Sequence, residues 1–182
     1  MGIELYLWEQ NLGQTRFNYY GSLQFMDKGN IIKIFPNLKD DKFFEISSPE
    51  DPNYNCIAWA FQLFQNRWME PPAGTYIPEL DAVTWWPEGA TEGTDISCLV
   101  EAFQKNSFQL CDSWEHESGY IKVALYHNPT NNSWTHAARE SRSGKYWLSK
   151  LGQSNDIHHG TPFSIEGAFY GKVYCFLKRE DN

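Results

Sequence analysis

Two rhythms of apolar residues divide the chain. Ile57, Ala60, Phe61 and Phe64 recur at the spacing of one helix face, and so do Ile96, Leu99, Val100 and Phe103. These runs predict a helix over 55–66, capped by Asn53 or Asn55 and closed before Pro71-Pro72-Ala73-Gly74, and a second helix capped by Thr94. From residue 120 the period falls to two. Ile121, Val123 and Leu125 line one side of a strand, and residues 127–132 form a turn. Residues 133–140 return as a strand, Ser141-Arg142-Ser143-Gly144 is a tight hairpin turn, and 145–151 is the partner strand. Residues 169–179 make a last strand. The first third is irregular, with short strands expected at Ile31–Phe35 and Phe43–Ile46 and a Pro-broken loop over 47–53. The expected class is α+β, an antiparallel sheet with a helix pair on one side.

A length of 182 residues fits one domain. The break at 47–53 divides it into an N-terminal extension, 1–50, packed on a main domain, 51–182. Aromatic residues reach 16%, which demands a thick core or an aromatic-lined groove. A net charge of −8 argues against nucleic acid and anionic membrane surfaces as partners. No apolar run is long enough to span a bilayer, and the first residues lack the basic and apolar regions of a signal peptide. The expected location is the cytoplasm, or delivery without such a signal.

Cys56, Cys98, Cys111 and Cys175 are scattered and contain no C-x-x-C pair, so they suit reduced thiols rather than a zinc ribbon. Cys98, Cys111 and Cys175 fall inside or beside apolar elements and read as packing residues. Cys56 falls at a predicted helix start, where unpaired N–H groups and the helix dipole favour a thiolate and an oxyanion beside it. A thiol nucleophile also needs a base. His136 is on a strand followed by Ala137 and Ala138, whereas His116 and His127 lie in polar stretches. If Glu140 pairs with Lys145, His136 faces Ser149, which can fix its tautomer. Asp156 and His159 are rival orienting residues. His136 with one of His158 and His159 is also a conceivable metal pair, and Trp85-Trp86-Pro87 suits either a groove wall or a core anchor. Arg139 and Lys150 flank the site as candidate ligands for a substrate carboxylate, or as solvated strand ends or ion pairs. No phosphate loop, H-E-x-x-H or G-x-S-x-G is present.

The order of a helix-borne Cys56, a strand-borne His136 and a polar residue on the next strand resembles the papain-like and NlpC/P60-like cysteine peptidases. The strings Asn55-Cys56-Ile57-Ala58-Trp59-Ala60, Trp85-Trp86-Pro87, His136-Ala137-Ala138-Arg139, Trp147-Leu148-Ser149-Lys150-Leu151-Gly152 and Asp156-Ile157-His158-His159 look like an uncharacterised bacterial domain family. The likeness implies a papain-like fold and a cysteine hydrolase or acyl-transferase acting on an amide bond of a protein or peptide, with Cys56, His136 and Ser149 as catalytic residues. It implies no cofactor and no metal. It also implies a role as a bacterial toxin or effector. The papain-type glutamine before the cysteine has no counterpart, since Glu50 stands there. The acidic charge and abundant aromatics suit the alternative, a non-catalytic module on the same scaffold that binds a protein partner.

Overall fold

In the computed structural model, residues 27–62 and 68–181 are described. The start of the N-terminal extension and the end of the predicted 55–66 helix lie outside them. The fold is mixed α+β, with a mostly antiparallel sheet and few helices.

The element order is α1 (Lys28–Ile34), β1 (Glu45–Ile46), α2 (Cys56–Ala60), β2 (Trp68–Met69), β3 (Tyr76–Ile77) and β4 (Ala82–Trp85). There follow α3 (Ile96–Gln104), β5 (Gln109–Cys111), β6 (Tyr120–His127), β7 (Trp134–Glu140), β8 (Trp147–Lys150), β9 (Asp156–His159) and β10 (Lys172–Glu180). Seven strands form the main sheet in the order β1-β9-β8-β7-β6-β10-β5, every pair antiparallel. A small sheet, β2-β4-β3, pairs β2 with β4 in parallel, the one such pair among the described residues.

Strand alternation gives the main sheet two buried faces. On one, Val123, Leu125, Ala137 and Leu177 pack with α2 and α3 through Cys56, Ile57, Phe61, Leu99 and Phe103. On the other, Ala124, Tyr126, Ala138, Trp147 and Ile157 pack with Ile31, Phe35, Leu38 and Tyr170. The predicted pair of helices on one side is present, but the second face is covered as well, and the N-terminal segment covers it. The strand expected at Ile31–Phe35 is the end of α1 and its cap. Asp27 accepts the Asn30 N–H, and Ile31 and Phe35, one turn apart, both turn inward.

α2 is shorter than its apolar period suggests. Gln62 takes a left-handed φ of 67°, which stops the helix after Ala60. The cap of α3 is Asp95, whose side chain accepts the Ser97 N–H, and not Thr94. The hairpin joining β7 to β8 pairs Glu140 with Trp147 rather than Lys145, because the turn is wider and closes through Ser141 N–H on the Tyr146 carbonyl. That slip is two residues, so side-chain parity is unchanged.

Candidate functional site

Asn55 starts α2 and ties it to the small sheet. Its Oδ1 accepts the Ala58 N–H at 3.0 Å and its Nδ2 donates to the Met69 carbonyl at 3.0 Å. The next residue, Cys56, is therefore fixed at the first turn. The β7–β8 ladder has rungs at Arg139/Leu148 and Glu140/Trp147 and stops there. Since the Ser141 N–H points toward β8, so do those of Arg139 and Ala137, at alternate positions. The Ala137 N–H, left without a rung, faces the sulfur of Cys56. Cys56 thus plugs the place where β7 and β8 separate. Burial pushes its thiol up to about 11, outweighing the N–H groups of Ala137 and Ile57 that favour the thiolate. The predicted thiolate character is absent from this resting state.

His136 begins a hydrogen-bonded chain on the opposite face. Its Nε2 lies 3.1 Å from Ser149 Oγ, which lies 2.9 Å from His159 Nε2, and His159 Nδ1 lies 2.8 Å from the Thr161 carbonyl. A carbonyl only accepts, so His159 carries its proton on Nδ1 and its Nε2 is an acceptor. The Ser149 hydroxyl donates to it, and His136 Nε2–H donates to Ser149. The network leaves His136 Nδ1 as a bare lone pair, buried and without a hydrogen-bond partner. Burial holds both rings neutral. It takes His136 well below the usual imidazole range and His159 down to about 4. Tyr170 stacks on the His136 ring at 3.9 Å between centroids, and Tyr126 meets it edge-on.

The structure brings Ser149 to His136, as the strand pairing predicts, although the contact is diagonal in the observed register. It does not join His136 to Cys56 by a hydrogen bond. His136 pairs with Tyr126, in the core of one face, while Cys56 packs with Ala137 in the core of the other. Strand parity separates the two side chains. Cys56 nevertheless touches the residue next to His136, because it enters at the edge of β7 and not over its surface. His159 is the second link of the chain. Asp156 is not a link, since it lies on the helix face beside Tyr54 and Lys150.

That helix face carries the two cations that flank the site, and the ion-pair reading holds for Lys150. Lys150 is fully buried, donates to the Ser154 carbonyl, stands 3.9 Å from Asp156 and sits over the Tyr54 ring. Arg139 lies on Trp59 of α2, 4.4 Å from the ring centroid. Neither is a solvated strand end. The signal for both was in the pattern: each alternates with residues of the opposite face inside a strand, where a long stem must cross the core layer. Trp86 is a core anchor, 4% exposed and stacked on Trp134. All four cysteines are thiols without a disulfide.

Past the end of α2 the same face opens into a cleft of about 610 Å³. Ile121, Arg139 and Leu148 form its floor, and Gln62, Arg142 and Tyr146 stand around it. No sequence motif marks it, because its residues come from four separate segments. Among the described residues no group of three or more His, Cys, Asp or Glu side chains is placed to hold a metal ion, and no helix is long and apolar enough to cross a membrane.

The chain belongs to the DUF7689 family, a domain of unknown function, whose family model matches residues 45–178. That span contains Cys56, His136, Arg139 and Ser149. No curated protein and no solved structure matches the chain.

Proposed function

We propose that this DUF7689 member is a cysteine hydrolase or acyl-transferase of papain-like type, acting on an amide bond of a protein or peptide. One observation supports the reading above the others: a directed chain of hydrogen bonds leaves His136 Nδ1 as an unpartnered lone pair, one residue from the N–H that faces Cys56. A base needs a fixed tautomer with its acceptor nitrogen unoccupied. Ser149 and His159 orient it and take no part in the bond changes.

In the proposed reaction Cys56 Sγ attacks the amide carbonyl and its proton passes to His136 Nδ1. The C–N bond breaks, the departing amine takes that proton, and water or a second amine then releases the acyl group from sulfur. The Cys56 and Ile57 N–H groups face the sulfur and are the candidate oxyanion donors. Thiol and imidazole start neutral and on opposite faces of β7, so this step requires the β7 edge to rearrange when substrate binds. Catalytic hydrogen bonds are often long before that step.

Labelling by a substrate-like peptidyl chloromethyl ketone with peptide mapping tests this reading. At pH 7 Cys56 should react at least tenfold faster than Cys98, Cys111 and Cys175, and His136→Asn should remove the difference. Equal, slow labelling of all four, or a Cys56 rate indifferent to His136→Asn, overturns it. That outcome favours a non-catalytic module that binds a protein partner, a reading supported by the burial of the sulfur and by an open cleft whose lining contains neither Cys56 nor His136. The acidic surface charge fits either role, and an effector's action on another cell remains part of the first reading only.

A further inference from the structure

We infer that the cleft beyond α2 is a binding site for a carboxylate carried on a peptide, held between Arg139 and Arg142. The protein is acidic overall, with a net charge of −8, yet two guanidinium groups line this one cleft. Glu140, also at its rim, belongs to the opposite face by alternation and spends its carboxylate on His116 Nδ1 at 3.2 Å. Asp156 and Asp181 also act on Arg139. Asp181 accepts from Arg142 at 3.2 Å and shows the kind of group this guanidinium holds.

The two arginines differ in a way that suits recognition. Arg139 is half-buried, and Trp59 lies against it, so its planar fork is preorganised. Burial lowers its pKa only to about 10, which keeps it charged at neutral pH. Arg142 has a side chain 76% exposed and reaches in from the hairpin turn. Ser141 and Ser143 supply hydroxyls, and Tyr146 with Leu148 supplies apolar surface for the atoms that carry the carboxylate. A volume of about 610 Å³ admits a few residues of peptide. A planar carboxylate matches a single fork, whereas a dianionic phosphate in this acidic surface would need more cations than the cleft provides.

The site also has a fixed relation to Cys56. Arg139 follows Ala137 by two residues on β7, about 7 Å along the strand. Should the thiol act on a peptide, an acidic residue near the attacked amide is the group this cleft would hold. The binding inference itself does not require that chemistry.

The test uses the whole chain, and again Cys56→Ser, so that binding is read without the thiol. Side-chain Nε–Hε resonances of Arg139 and Arg142 are followed by NMR. The probes are N-acetylglutamate α-amide, N-acetylglutamine α-amide and inorganic phosphate. The acid should shift both arginine resonances saturably, and the glutamine analogue should bind at least tenfold more weakly. Arg139→Lys, which keeps the charge and loses the fork, should weaken the acid at least tenfold with Tm unchanged. If Arg139→Lys fails to fold, Arg142→Ala, at an exposed position, should weaken it about threefold. No saturable shift, equal binding of acid and amide, or acid binding unaffected by the arginine substitutions overturns the inference. Phosphate binding tenfold tighter than the acid makes this a phosphate site instead and overturns the carboxylate assignment.

Discussion

The two faces of the main sheet are built from the same four strands and, around Lys150 and His136, hold opposite kinds of polar group, although the far face also buries Lys122 and Glu140 farther along β6 and β7. The helix face carries Arg139, Lys150 and Asp156 under α2, each a charge pulled partly or wholly from water. The far face carries His136, Ser149 and His159 among Tyr126, Tyr170 and Trp147, all of them neutral. Charges are tolerated where an ion pair, an aromatic face and backbone carbonyls meet them; the neutral chain is tolerated because its donors and acceptors run in one direction. Cys56 sits where β7 and β8 separate and reaches β7 at Ala137, next to His136.

Breaking the charged side should cost most. Lys150→Ala leaves Asp156 without its cation and should lower stability by about 3 kcal/mol in urea unfolding, whereas Lys150→Met with Asp156→Leu should restore most of it. Recovery absent in the double variant would mean that the ammonium has a role beyond the pair. On the neutral side, Ser149→Ala strands one donor on His136 and one acceptor on His159, and should cost about 2 kcal/mol. The same variant should blur the tautomer pattern in histidine ring 15N spectra, which in the native chain should show Nε2–H at His136 and Nδ1–H at His159.

Titration sharpens the contrast further. The His159 ring ordinarily protonates near 6.5 and in the fold only near 4. Below pH 6.5 the unfolded chain therefore binds more protons than the folded one, and stability falls as pH drops from 6.5 toward 4. His136, depressed by burial and by His159, acts in the same direction. Glu70 opposes them: burial raises it to about 7, so it adds stability at low pH that is lost between about 4.5 and 7. A Glu70→Gln background should thus show a steeper loss on acidification than the native chain, in urea midpoints taken across pH 4–7. A shallower loss would contradict the burial of the Glu70 carboxyl. The smallest effect belongs to the cleft rim. Arg142→Ala removes an exposed pair with Asp181 and should change stability by less than about 0.5 kcal/mol, leaving its consequences to ligand binding.

Much of the site was legible in the chain because strand parity survives small errors of register. His136 and Ser149 were placed on one face by a hairpin drawn two residues too tight, and a slip of two preserves the face. The same arithmetic said nothing about which face α2 would cover, and there the expected meeting of Cys56 with His136 became an edge contact with Ala137. Ile31–Phe35 looked like a strand because a five-residue apolar run fits either period; its packing against Tyr170 in a helix-borne cluster decided the matter.

By itself the sequence determined the class, β6, β7, β8 and β10, a cap at Asn53 or Asn55 and the His136–Ser149 contact, because these follow from local periodicity, cap chemistry and alternation. Only the tertiary structure decided that both faces are covered, that Lys150 is buried, that Cys56 occupies a gap between β7 and β8, and that Gln62, Arg139, Arg142 and Tyr146 surround one cleft. Each of these depends on where segments distant in the chain come to rest against one another, and no local pattern of residues carries that information.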